Sequence, residues 1–181
     1  MPATIKVKLI DHGWDAIKQR VGALRGSGAV VNVGVQGAQA AANHQGGRLT
    51  VAQLATIHEF GKVIHQPRMR RTIVIPERSF LRATVDLYRD AIARRQVLLS
   101  QGYILGKFDL KPAMELLGQY VVGLIKQRIA NGIPPANSPY TIANKGSSKP
   151  LIDTGQLRNS ITYTVQIGVG FKTGGMSRGV P

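Results

Sequence analysis

Cysteine is absent from the 181 residues, which excludes disulfides and thiolate metal sites. Acids are scarce: nine Asp and Glu stand against 24 Lys and Arg, and none follows Asp153. They are also scattered, so no pair of carboxylates is marked out for acid-base work. Aromatic residues make up 6%. The aromatic-rich ribonucleoprotein motif is missing, and so is a zinc-finger spacing. No apolar run approaches the roughly 18 residues of a membrane span, and the opening MPATIKVKLIDHG has no long apolar signal segment. The expectation is synthesis in a reducing cytoplasm, with no membrane partner.

What is present is an ordinary hydrophobic fraction, 43%, in a chain long enough for one core. The net charge is +15. A field of that sign favours an anionic partner: nucleic acid, an acidic protein surface or a membrane face. Six cations crowd between His58 and Arg82 (Lys62, Arg68, Arg70, Arg71, Arg78 and Arg82), against Glu59 and Glu77.

Periodicity divides the chain. TIKVKLI, 4–10, alternates as a half-buried strand. Trp14, Ile17, Val21 and Leu24 share one helical face, which RGSG ends. AVVNVGVQ, 29–36, reads as a second strand, and 37–47 as a long loop. Thr50 and Gln53 have capping-box spacing, and Val51, Leu54, Ala55 and His58 form the stripe of the helix they open. Gly61 is placed to end it in the left-handed conformation. The segment 62–75 is basic and β-prone, an extended arm or a hairpin. From Glu77 to Leu99 one long helix is expected, with Phe80, Thr84, Leu87, Tyr88, Ala91, Ile92 and Leu98 on its stripe and Asp86 and Asp90 paired with Arg89 and Arg94. Gly102 and Gly106 predict a bend. Asp109 is positioned to cap a further helix to Ala130, with the stripe Leu110, Ala113, Leu117, Val121, Leu124 and Arg128. Asn131-Gly132 and two prolines stop it, and 131–150 reads as a long loop. In PLIDTGQLRNSITYTV, Pro150–Val165, Asp153 or Thr154 can cap a short helix whose inner face holds Leu157 and Ile161. The run 161–171 is the clearest strand pattern in the chain.

The sum is α+β. A single domain over 1–171 holds a small, mainly antiparallel sheet, with strands near 4–10, 29–36, 63–75 and 161–171. The sheet packs against two longer helices, with extended loops and a flexible basic C-terminal tail at 172–181.

Motifs for chemistry fail one by one. His58-Glu59 lacks the second histidine of the helical zinc motif, because position 62 is Lys. His65 nearby does not complete a metal geometry. The glycines around 26–37 match neither a phosphate loop nor a dinucleotide fingerprint. Asp153-Thr154-Gly155 occurs once and reads as a cap and turn, and Ser160 has no histidine near it in sequence. No catalytic residue, metal site or cofactor is assigned.

Three segments resemble one known family: IHEFG (57–61), IPERSFLRATVD (75–86) and PLIDTGQLRNSITYTV (150–165). In this order and spacing they look like the tail-completion, or neck, proteins of long-tailed bacteriophages. Over about 30–165, the resemblance implies a non-enzymatic virion component made in the bacterial host cytoplasm. Such a protein assembles as a ring, expected to be a homohexamer, between the portal and adaptor on the head and the terminator or tail tube. DNA passes through its lumen. A free nucleic-acid-binding protein is the alternative from another class, and a sibling tail terminator or minor tail protein is the nearest neighbour in role. On the neck reading Lys62, Arg68, Arg70, Arg71, Lys145, Lys149 and Lys172 are candidate interface or DNA-facing cations. His58, Glu59, Phe60, Gly61, Phe80, Leu81, Asp153, Thr154, Gly155, Leu157, Ser160 and Ile161 mark the fold. Phe60, Phe80, Leu81, Leu157 and Ile161 are expected in the core, Gly61 and Gly155 in turns, Asp153 as a cap, His58 packed, and Glu59 against a nearby arginine.

Overall fold

The computed structural model describes residues 13–26, 28–145, 150–152 and 155–169. The strand expected at 4–10, the cap at Asp153 or Thr154, and the tail at 172–181 lie outside these.

The central ladder joins two segments far apart in sequence. Strand β1, Gly28–Val35, runs antiparallel to β4, Ile161–Val169, with Val31 opposite Val165 and Val35 opposite Ile161. Alternation puts Ala29, Val31, Val33 and Val35 on one face with Ile161 and Val165, and that face meets the core. Helix α6, Leu110–Asn131, lies across the ladder, burying Ala113, Met114, Leu117, Gly118, Val121, Ile125 and Ile129. The expected stripe held as far as Val121. Beyond it Leu124 and Arg128 are only half-buried. A strict seven-residue repeat drifts about 20° per heptad on a straight helix, so Ile125 and Ile129 take the inner positions. Asp109 occupies the N-cap position, but its side chain makes no capping bond.

Two glycines of α6 are a matched pair. A Cβ on Gly118 would sit 2.5 Å from the Tyr163 ring on β4, whereas one on Gly123 would meet nothing within 4 Å. Gly123→Ala is therefore expected to stabilise the protein by about 0.5–1 kcal/mol through helix propensity. Gly118→Ala is expected to cost roughly 1–3 kcal/mol through overpacking. Thermal melts of the two variants check the opposite signs.

The long helix expected from Glu77 is shorter and broken. Residues 77–81 precede it, α4 covers Arg82–Leu87, and α5 covers Arg89–Ile104 after a break at Tyr88 (φ −104°, ψ 16°). The break resets the buried face to Leu99, Gly102 and Tyr103, and Leu87 and Leu98 of the expected stripe are exposed. Arg89 does pair with Asp86, at 3.0 Å. Gly102 does not bend α5; it makes room for the Phe108 ring, which a Cβ would meet at 2.3 Å. The chain turns only at Leu105-Gly106, after which Phe108 and Leu110 join the cluster under α5.

Helix α1, Trp14–Gly26, packs on α5 and β1, with Trp14 itself exposed. Both expected loops contain helix. Within 37–47 lie α2, Gly37–Ala41, and a 3-10 turn at His44–Gly46. Alanine-rich sequence favours the first, and backbone bonds from His44 to Leu49 (2.8 Å) and from Val51 to Ala42 (3.0 Å) tie the segment down. Within 131–150 lies α7, Pro139–Lys145, started by Ser138, whose Oγ accepts from the Thr141 amide at 3.2 Å. The described residues thus form an α+β fold with two separate two-stranded antiparallel sheets. The segment 63–75 does not join the central ladder.

Candidate functional site

The site begins at helix α3, Val51–Phe60. Thr50 Oγ1 accepts from the Gln53 amide at 3.2 Å and the Gln53 side chain accepts from the Thr50 amide at 3.0 Å, the expected capping box. Val51, Ala55 and Glu59 lie four residues apart, so all three are buried. The third is a carboxylate, and a buried charge persists only when it is bonded. Glu59 accepts from the Ser79 hydroxyl at 2.7 Å, from the Phe80 and Leu81 amides at 2.9 Å each, and from the Arg82 amide at 3.0 Å. Arg82 Nε adds a fifth bond at 3.1 Å. These amides are the unpaired donors at the start of α4, so Glu59 caps that helix from 20 residues away. Burial acts to raise its pKa; the Leu81 and Arg82 amides, the Ser79 hydroxyl and the Arg82 guanidinium outweigh it and hold the group below its ordinary value. With its oxygens so occupied, Glu59 has no geometry for proton transfer.

Arg82 is a clamp. Its Nη2 donates to the Glu59 carbonyl at 3.1 Å and to Glu77 Oε1 at 2.8 Å, and its guanidinium lies 4.4 Å from the centre of the Phe60 ring. Phe60 is 60% exposed, so its expected place in the core is corrected: one step past Glu59 it leaves the inner face and stacks on the cation. Phe80 is fully buried, with Leu157 and Ile161 beside it, and Leu81 packs on the same cluster.

Arg78 is buried as well. Its amide donates to the His58 carbonyl at 2.7 Å. Its Nε reaches Pro135 O at 2.9 Å, and its Nη2 reaches Ala136 O at 3.2 Å. It thereby fastens the segment before α7 to the end of α3. Burial lowers its pKa, and as a guanidinium it remains charged. Arg78 and Arg82 therefore leave the group of cations available to a partner. Neither contact has a sequence signal, because each joins segments about twenty or sixty residues apart.

Above this base stands a hairpin. Strand β2, Lys62–Gln66, pairs with β3, Arg71–Ile75, in the register Lys62↔Ile75, Val63↔Val74 and Ile64↔Ile73. No other strand among the described residues pairs with it. Gly61 launches it with φ 70° and ψ 167°. The φ is positive as expected, but the ψ is extended rather than left-handed helical, a region open essentially to glycine. A Cβ there would stand 2.9 Å from the Glu77 nitrogen and 3.0 Å from the Ile75 oxygen. The tip is a 3-10 turn, Pro67–Met69, followed by Arg70 at φ 46°, ψ 37°. Arg68, Arg70 and Lys62 are exposed. Val63 and Val74, directly opposite each other, are 54% and 65% exposed.

Thr72–Ile75 of β3 line a cavity of about 690 Å³ together with His44, His58, Arg78, Leu151 and Leu157. His44 Nδ1 and Gln156 Oε1 are 2.9 Å apart at its edge. Gly155, at φ 78°, is the expected turn before α8, Gln156–Asn159, and the Ser160 hydroxyl is buried and donates to Leu157 O at 2.7 Å. Among the described residues no three His, Cys, Asp or Glu gather to hold a metal, and no helix is long and apolar enough to cross a membrane. Lys145 ends α7, Arg71 opens β3, and Lys149 and Lys172 lie outside the described residues. Comparison of the chain with protein-family models, with curated proteins and with solved structures finds no match.

Proposed function

We propose that this chain is a structural virion protein of the phage neck. Its copies form a ring, a homohexamer, that joins the portal and adaptor of the DNA-filled head to the terminator or tube of the tail and surrounds the DNA passage. It makes and breaks no covalent bonds.

The observation that carries this reading is convergence. The three segments that resemble the neck family are one physical unit. Glu59 of the first caps the helix opened by the second, and Leu151, Leu157 and Ile161 of the third enter the same core cluster as Phe80. The unit has a purpose suited to assembly: it holds the hairpin 62–75 by its base, and among the described residues the hairpin's strands have no partner sheet. A two-stranded hairpin is marginal by itself in water and gains order when neighbours cover it.

The test is reconstitution. Purified chain is added to heads and tails isolated from particles assembled without it, and joined particles are counted by electron microscopy. Restoration of joining by the added chain is the expected result. Its absence from mature particles, or joining that proceeds equally without it, overturns the reading. Steeply salt-dependent DNA binding by the monomer with no effect on joining would favour the nucleic-acid alternative.

A further inference from the structure

Among the described residues, Arg78 is a buried cation with no anion beside it. It is 7% exposed, and its three side-chain bonds go to neutral oxygens, those of Pro135, Ala136 and Asn137. No described carboxylate lies within ion-pair distance, and no hydrogen bond among the described residues uses its Nη1. Buried charges are ordinarily paired, because neutral acceptors only partly offset lost hydration. Nη1 is not sealed off; the open space beside Arg78 is the 690 Å³ cavity that it lines. None of the described residues lining that cavity is acidic, and His44 and His58 stand there as well. The volume falls within the roughly 300–1,000 Å³ of ligand sites.

One wall of the cavity has the geometry of a strand site. Thr72, Ile73, Val74 and Ile75 are consecutive, and all four line it. Side chains of a strand alternate between its faces, so neighbours of both parities meet the cavity only along the edge of β3. That edge is turned away from β2, none of whose described residues lines the cavity. Among the described residues no backbone bond outside the hairpin reaches 72–75. An open edge presents unpaired amides and carbonyls to a further strand. Such a strand would lie about 4.8 Å from β3, with every second side chain turned toward Arg78, Leu54, Leu151 and Leu157. We propose that this edge and Arg78 together capture an extended segment of a partner protein. In that segment an aspartate or glutamate has apolar residues two positions to either side. A second copy is the poorer occupant, because none of its strands β1 to β4 holds an acid. The proposal does not rest on the neck reading, since neither ring nor particle enters it.

The probe is the peptide Thr-Val-Thr-Glu-Thr-Val-Thr, acetylated and amidated so that glutamate is its only charge. Its titration into the isotopically labelled full chain is followed by nuclear magnetic resonance. Binding is expected to shift the amides of Thr72–Ile75 and Arg78. Affinity is expected to be about tenfold above that of the same peptide with glutamine at its centre. Methylation of alternate backbone nitrogens of the peptide, made in both phases, is expected to abolish binding in one phase, because one edge of the added strand must pair. Arg78→Met is expected to remove the preference for glutamate. The peptide changes leave the chain untouched, so they decide the matter even where Arg78→Met fails to fold. Equal affinity for glutamate and glutamine, unaltered binding in both methylated phases, or no binding at all overturns the proposal. So does tighter binding to Asp153→Asn than to the native chain, which would give Arg78 an anion from its own chain. Self-association in sedimentation that the glutamate peptide competes away would make the occupant a second copy and overturns it equally. The joining of heads to tails is not read in this experiment, so its failure and failure of the neck reading are distinct.

Discussion

Replacing Glu59 with alanine is expected to destabilise the protein by about 3–5 kcal/mol and to lower its melting temperature by roughly 10 °C. The change removes one side chain and orphans four groups at once. The Phe80 amide is buried, and the Leu81 and Arg82 amides and the Ser79 hydroxyl are shielded. Water cannot fully replace the carboxylate there, so each donor carries part of its desolvation cost. Arg82 also loses its anchor and its position over Phe60. Glu59→Gln keeps the volume and one acceptor oxygen but turns an amide group toward donors, and about half the loss is expected. The same carboxylate sets an acid limit. Its pKa is lower in the folded state, so its contribution is fully present above the unfolded value of about 4.3. That contribution is lost as pH falls through the folded value. Melts of the native chain between pH 7 and pH 3 are expected to lose more stability than the same melts of Glu59→Gln. Parallel curves would show that the carboxylate is not the group being titrated.

How much of this was legible in the sequence depends on how far apart the interacting residues lie. The Thr50–Gln53 box is local, and it appears as read. Strand alternation in 29–36 and 161–171 is local too; what it cannot announce is that these two runs pair with each other. The α+β class followed from those patterns. The failures have specific causes. Phe60 is aromatic and follows a buried stretch, but its neighbour Glu59 holds the inward position, so the larger and more apolar residue is the one outside. The sequence predicts one unbroken helix from Glu77 because Ser79, Phe80 and Leu81 are acceptable in a helix; the Ser79 hydroxyl and the Phe80 and Leu81 amides instead meet a carboxylate that only the fold brings near. The basic cluster was counted by composition, which weighs Arg78 and Arg70 equally. One is buried against the Pro135 and Ala136 carbonyls and the Asn137 side-chain oxygen, and the other stands at a hairpin tip.

Reversing Arg68, Arg70 and Arg71 together to glutamate is expected to abolish joining of heads to tails while leaving the melting temperature within about 2 °C of the native chain. Each reversal removes two charge units, so three take the net charge from +15 to +9; the chain stays basic overall, and only the hairpin changes sign. Among the described residues no ion pair within the chain uses Arg68 or Arg70, so the fold loses nothing that they supply. The backbone makes the stronger argument. Arg70 sits in the left-handed region, which costs a residue with a Cβ about 1–2 kcal/mol, and glycine there would be the choice of a chain optimising only its turn. Arg70→Gly is therefore expected to raise stability by about 1 kcal/mol and yet to weaken joining, so that fold and function move in opposite directions. On the proposed neck reading, the Arg70 guanidinium meets an acidic neighbour in the ring stack or a DNA phosphate. The two separate by dependence on salt and on DNA: contact with DNA would leave the joining of emptied heads to tails insensitive to the triple reversal, and contact with protein would not.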